Sequence, residues 1–291
     1  MSPRTSQAPK TAAGRLRRKP ILAKSGLVFG GAAIAAWSFF PIYWMVLSSL
    51  RTQTALFAAP SLVPANLTLD SYRALIELSD YPKQFLNSLT VAAIAVAITA
   101  IISIPVAYAL TRFRVPGKRL ILVSILYAYM FPPLLLAIPM YAVFVRLGIA
   151  DTLIALAIAH CTLTLPLANW LLWGFLRTMP FELEEAARVD GCTRLGSFFR
   201  IILPLCRPGL ITVAIFTFLL SWTDYIYALV IVISDENKTL PLGIASMIGA
   251  FDLRWGEAMA GATLIAAPLV LMFLFLSRSL TEGIAAGAMK G

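Results

Sequence analysis

The chain alternates long apolar runs with short polar intervals, a pattern that predicts membrane-spanning helices rather than a soluble core. Six runs are long enough for a helix to cross the ~30 Å hydrocarbon layer. They cover Ser25 to Leu50, about Phe85 to Leu110, Arg119 to Tyr141, Thr152 to Phe175, Leu205 to Ile233 and Ala258 to Leu280. The third is interrupted by Pro132-Pro133 and Pro139 and the fourth by Pro166. The carbonyls such prolines free must be packed against neighbours or a cavity. Between the first two runs, residues 51–84 form a polar interval in which Asn66 to Asp70 leads into a short amphipathic helix through Tyr72, Leu75 and Ile76.

One polar island stands apart. Residues 180–208, PFELEEAARVDGCTRLGSFFRIILPLCRP, separate the fourth and fifth runs. Glu182, Glu184 and Glu185 follow Pro180, an arrangement suited to a helix N-terminus. Ala186-Ala187 offers a small surface that another chain can approach, and Gly191 is placed to end the helix in the left-handed conformation. A second amphipathic turn runs from Thr193 to Ile202, where Arg194 and Arg200 sit beside Leu195, Phe198, Phe199 and Ile201, and Leu203-Pro204 is expected to stop it. The island therefore reads as a helix-turn-helix lying against a membrane, with one face offered to a partner.

Composition agrees: hydrophobic residues make up 59% and charged residues 13%, about half the charged fraction of a soluble domain. The net charge of +10 is of the sign that suits nucleic acid, but the cations are scattered among short loops instead of gathered on one face. Their placement gives an orientation. One side collects the seven basic residues of Met1 to Lys24, then Arg112, Arg114, Lys118, Arg119, Arg177, Arg188, Arg194, Arg200, Arg207, Arg278 and Lys290. The positive-inside rule predicts that both termini and the island are cytoplasmic. This divides the chain into a basic tail (1–24), a transmembrane domain (25–280, with the island at 180–208) and a C-terminal tail (281–291). The first run exceeds a secretory apolar region and reads as a retained helix.

Chemistry-bearing groups are sparse. Cys161, Cys192 and Cys206 lack metal-ligand spacing, and no metal site is expected. No Gly-x-x-x-x-Gly-Lys occurs, so the sequence carries no P-loop. Asp224, beside Trp222 and Tyr225, is an intramembrane carboxylate and hence a functional candidate. Acceptors next to flat aromatic faces suit a sugar, while pairing with a neighbouring helix is the structural alternative. His160 reads as a packing residue, and Asn87 and Asn169 as interhelical hydrogen-bonders.

The spacing of the island, Glu185-Ala186-Ala187, Gly191, Ile201 and Leu203-Pro204, reproduces the EAA motif, so the chain resembles ABC importer permeases. Further likeness is to the maltose-type carbohydrate permeases. Phe85 to Leu89, Ala107 to Leu110 with Arg112-Phe113 and Pro116-Gly117, Leu147 to Thr152 and Thr239 to Gly243 all look like that family. So does Trp222-Thr223-Asp224-Tyr225, where Trp-Asn-Asp/Glu-Phe is usual. The ending Gly283 to Gly291 resembles the MalG-like half of such transporters, with Met289 where valine is usual.

The resemblance implies an all-α, polytopic type I ABC importer permease fold with six transmembrane helices in the bacterial cytoplasmic membrane. It implies a sugar-importer subunit forming half of the translocation path. Its partners would be a second permease, two ATPase subunits that bind ATP and Mg, and an extracytoplasmic solute-binding protein. Glu182, Glu185, Ala186, Ala187, Asp190, Gly191, Ile201, Leu203 and Pro204 would form the ATPase-coupling loop, and Gly287, Lys290 and Gly291 an ATPase-interface tail. By itself that small-residue ending either frays, as termini do, or fits a narrow slot. The same class for a polyol or glycerol-phosphate derivative is an alternative. An ion-coupled secondary transporter is another, although no clear internal repeat supports it.

Overall fold

The computed structural model describes residues 20–57, 61–63, 67–248 and 254–288, with backbone alone for 20–26 and 274–288. The chain separates into two units, Met1–Met45 and Val46–Gly291. The first holds most of α1 (Pro20–Ser49), whose Leu27, Phe29, Ile34 and Trp37 are exposed, as suits a lipid-facing helix.

In the second unit, α2 (Gln53–Leu56) and the expected amphipathic helix α3 (Asp70–Glu77) precede α4 (Tyr81–Arg112). Then follow α5 (Lys118–Tyr129), α6 (Pro133–Arg146) and α7 (Leu153–Arg177). The polar island supplies α8 (Glu182–Val189), α9 (Arg194–Ser197), a π-helical turn (Phe198–Ile202) and α10 (Leu203–Leu205). The chain continues through α11 (Arg207–Trp222), α12 (Ile226–Ile231), a 3-10 turn (Asp235–Asn237), α13 (Leu240–Ser246) and α14 (Trp255–Ala288).

Among the described residues, four helices are long and apolar enough to cross a membrane, and the count reaches six only when two bent pairs each serve as one span. The third expected span is one of these pairs. α5 and α6 meet at 95°, because neither Pro132 nor Pro133 has an N–H and the residue before a proline is driven out of the helical region. Pro133 then opens α6, where a proline is well placed. The fifth expected span is also not continuous. α11 ends at Trp222, Thr223 to Tyr225 leave the helix, and α12 resumes at Ile226.

Leu203-Pro204 does not stop the second island helix. The π-turn over Phe198–Ile202 shifts the hydrogen-bond ladder just ahead of the N–H that Pro204 lacks. The backbone stays helical to Leu205, and the 68° bend comes at Cys206.

α4 and α7 pack along a stripe of small residues. Ala92, Ala95, Thr99, Ser103 and Ala107 of α4 are buried, as are Ala155, Ala159, Thr164 and Ala168 of α7. Small side chains let backbones approach closely where lipid offers no hydrophobic drive between helices. The Thr99 and Thr164 hydroxyls, 2.7 Å apart, satisfy one another inside that seam. α4 contributes to all three buried clusters: Ala107 in one, Val91 and Ala95 in the next, and Tyr81 in the last.

Candidate functional site

The first half of the island is built as its residues predict. Phe181 caps α8, its carbonyl accepting the N–H groups of Glu184 at 3.0 Å and Glu185 at 3.3 Å. At the far end Gly191 adopts φ +87°, and the Cys192 N–H donates to the Ala187 carbonyl at 2.9 Å. This is the glycine termination that satisfies the last orphan carbonyls. The Thr193 hydroxyl then accepts from the Gly196 N–H at 3.0 Å and opens α9.

Helical periodicity sorts α8 into two faces. Glu182, Glu185, Ala186, Val189 and Asp190 are exposed, and Leu195 and Phe199 beyond the turn join them as exposed apolar groups. Ala187, Phe198 and Ile202 point inward, the last two packing with Leu172, Leu176 and Val213. Ile201, Leu203 and Pro204 are half-buried. The arrangement presents an acidic, small-residue strip flanked by apolar side chains, mounted on the ends of α4, α7 and α11.

Glu184, one of three neighbouring acids with nothing in the local sequence to set it apart, differs from Glu182 and Glu185 in the fold. It is buried, and its Oε1 lies 2.5 Å from Nε of Arg112 at the end of α4. Its Oε2 accepts from the Tyr108 hydroxyl at 2.9 Å. The visible signal was Tyr108 and Arg112, polar groups four apart and therefore on one face at the end of an apolar helix.

The second group of candidates lies at the break after α11. Asp224 is not inside a helix. Its Oδ1 and Oδ2 accept the backbone N–H groups of Tyr227 and Ala228, at 3.3 and 3.1 Å, and so cap α12. Oδ2 also lies 3.1 Å from Nε2 of His160, whose Nδ1 is 2.8 Å from the Ser221 hydroxyl. The Thr162 and Tyr227 hydroxyls meet at 2.6 Å beside this group. A Ser, His and Asp are thus gathered, but Ser221 is buried and the Asp224 side chain is 8% exposed. The set ties α7 to both halves of the broken segment. Trp222 is buried, with its indole N–H on the Ile265 carbonyl at 3.2 Å. Of the three path candidates, Tyr225 alone is exposed.

Asp151 and Asn87 organise a polar loop. Asp151, at φ 57°, accepts the Ile233 and Ser234 N–H groups at 2.9 and 3.1 Å. Asn87 does not bridge helices through side chains as its position suggested. Its amide donates to the carbonyls of Glu236 at 2.8 Å and Lys238 at 2.9 Å. Burial opposes ionisation of Asp151, but hydrogen bonds from the Ile233 and Ser234 N–H groups and from the Ser234 and Asn237 side chains together outweigh it and hold the carboxyl below its ordinary value. Among the described residues, no cluster of three or more His, Cys, Asp or Glu could hold a metal. Gly287 lies in the last turn of α14, which passes residue 280 without a break. Lys290, Gly291 and the tail up to Lys19 lie outside the described residues.

Comparison with known proteins gives a consistent picture. The profile of the family described as "Binding-protein-dependent transport system inner membrane component" matches residues 99–285. The chain is 36% identical over 276 residues to the inner membrane ABC transporter permease protein YcjP of Escherichia coli (strain K12), covering 94% of this chain and 99% of that one. It is 34% identical over 253 residues to the diacetylchitobiose uptake system permease protein DasC of Streptomyces coelicolor, covering 87% and 92%. Its fold matches a chain of a bacterial ABC transporter involved in the import of the acidic polysaccharide alginate. That match has a TM-score of 0.76 at 19% identity, over 89% of this chain and 96% of that one.

Proposed function

Since this chain belongs to the family of binding-protein-dependent transport system inner membrane components, we propose that it is the permease subunit of an ATP-driven sugar importer. It forms half of the translocation path, and a second permease forms the other half. Two ATPase subunits on the cytoplasmic side bind ATP and Mg. Both termini and α8 to α10 face the cytoplasm, as the positive-inside distribution requires. A solute-binding protein delivers substrate from the opposite side. The chain acts as a conduit and leaves ATP hydrolysis to its partners.

The observation that carries this reading is the exposed strip Glu182, Glu185, Ala186, Val189 and Asp190, ended by Gly191 in the left-handed conformation. An ATPase cleft that grips this strip can move α8, and α8 is packed against the ends of the apolar helices. A sugar is supported by relatives such as the diacetylchitobiose permease and by exposed Tyr225 beside the break in the fifth apolar segment.

The test is to purify the cognate binding protein from its native cells and identify the ligand it carries by mass spectrometry. A mono- or oligosaccharide is expected. A polyol or glycerol-phosphate derivative would replace the sugar while keeping the transport class.

A further inference from the structure

We propose that Glu184 is a positioning residue: through Arg112 and Tyr108 it fastens the coupling helix α8 to α4, so that movement of α8 enters the membrane bundle through α4. The proposal rests on the coupling reading of residues 180–208 and adds a route to it.

Covalent continuity joins α8 only to α7, through residues 178–181, and to α11, through the bent α9, π-turn and α10. α4 has no chain connection to α8, yet it contributes side chains from the cluster beside the island to the cluster beside α3 and α13. α7 contributes buried residues to two of the three clusters and α11 to two, whereas α4 contributes to all three, so a contact that seizes α4 engages packing that neither connection engages alone.

The contact is specific. Both carboxylate oxygens of Glu184 are engaged by α4, one by Arg112 and one by Tyr108. The Arg112 guanidinium also donates to the Met179 carbonyl from both terminal nitrogens at 3.3 Å and lies 5.1 Å from the centre of the Phe181 ring. One arginine thus holds the linker, the cap and the first turn of α8. The Arg112 and Glu184 side chains are 6% and 10% exposed, so solvent screening that makes surface pairs weak does not apply. Glu182 and Glu185 face outward on the same helix. The outward acids meet the ATPase, and the inward acid meets α4.

The test uses the full complex of both permeases, the ATPases and the binding protein in proteoliposomes. A Thr223→Cys reporter at the break, in a Cys192→Ser background, is labelled with a membrane-impermeant fluorescent maleimide. In the parent, vanadate-trapped ATP should change the labelling rate. Glu184→Gln keeps an acceptor for Tyr108 but loses the ion pair. It should assemble and hydrolyse ATP at the parent level while losing the nucleotide-dependent change. The exchange pair Arg112→Glu with Glu184→Arg should recover it.

A Glu184→Gln complex that assembles and keeps the full change overturns the proposal. If Glu184→Gln does not assemble, Arg112→Lys takes its place: it keeps the charge and loses the fork, and must show the same loss. Failure of both to assemble, unrepaired by the exchange pair, assigns the contact to folding alone and overturns the proposal. Glu185→Lys tests the underlying reading by itself. If it couples normally, or if the parent reporter ignores nucleotide, both readings fall. If Glu185→Lys uncouples and Glu184→Gln does not, only the α4 route falls.

Discussion

His160 Nε2 lies 3.1 Å from Asp224 Oδ2, so α7 holds the point at which the fifth apolar segment leaves its helix. The same carboxylate caps α12 through the N–H groups of Tyr227 and Ala228. Removing it strands three partners at once, in surroundings where an unmet polar group is costly.

Asp224→Ala and His160→Ala should therefore each destabilise the subunit by roughly 1–3 kcal/mol, the usual cost of leaving a buried group unpaired. The expected sign is a lower yield in the membrane and a lower melting temperature. In the complex that survives, the concentration dependence of uptake should be unchanged. Tyr225→Leu should behave oppositely, with normal yield and weaker apparent affinity. Complex yield and uptake curves measured together check both statements.

Asp151 gives a prediction in pH. Its carboxyl is held below the ordinary value in the folded state, so its contribution is full above the ordinary carboxylate range. It fades as pH falls through the lowered value, where the folded state is finally protonated as well. The parent should melt above Asp151→Asn at neutral pH, and the gap should close in strong acid. Thermal melts of the purified complex across that range decide it. A gap that widens in acid would contradict the assignment.

Topology can be tested at positions the structure shows to be accessible. Val189 is 87% exposed, and the Asp235 side chain is 79% exposed. In intact cells a cysteine at Asp235 should label with an impermeant maleimide, and one at Val189 should label only after the membrane is opened and the ATPase subunits are stripped away. Ser197, although within the island, is buried and would be silent from either side.

Much of this was legible in the sequence because the information is local. Apolar run lengths, the acids after Pro180 and Gly191 before Cys192 fix helices and a turn through nearest neighbours. The bends were harder. Pro132-Pro133 announced a break but not a turn of 95°, which depends on what α5 and α6 pack against. The break at Thr223 to Tyr225 carries no proline or glycine, since it is held by an aspartate cap and by His160 from another helix. Glu184 and Glu185 are adjacent acids in sequence. Only the partner across the gap, Arg112 rather than solvent, separates their roles. Asn87 likewise found its acceptors in the backbone near Lys238, a pairing that no local pattern could encode.

In the proposed function, residues 180–208 pass the energy of ATP hydrolysis to the transmembrane helices. Gly191 offers the most direct test, because at φ +87° a valine would cost about 1–2 kcal/mol or more in the left-handed region, and a Cβ there meets nothing within 4 Å. The measurement is uptake of the binding protein's own sugar by proteoliposomes with ATP enclosed, for the parent and Gly191→Val at matched complex content. Uptake should require both ATP and the binding protein, and Gly191→Val should abolish it while the complex still reaches the membrane. Uptake driven by an ion gradient without ATP, or a Gly191→Val complex that transports at the parent rate, would overturn this coupling role.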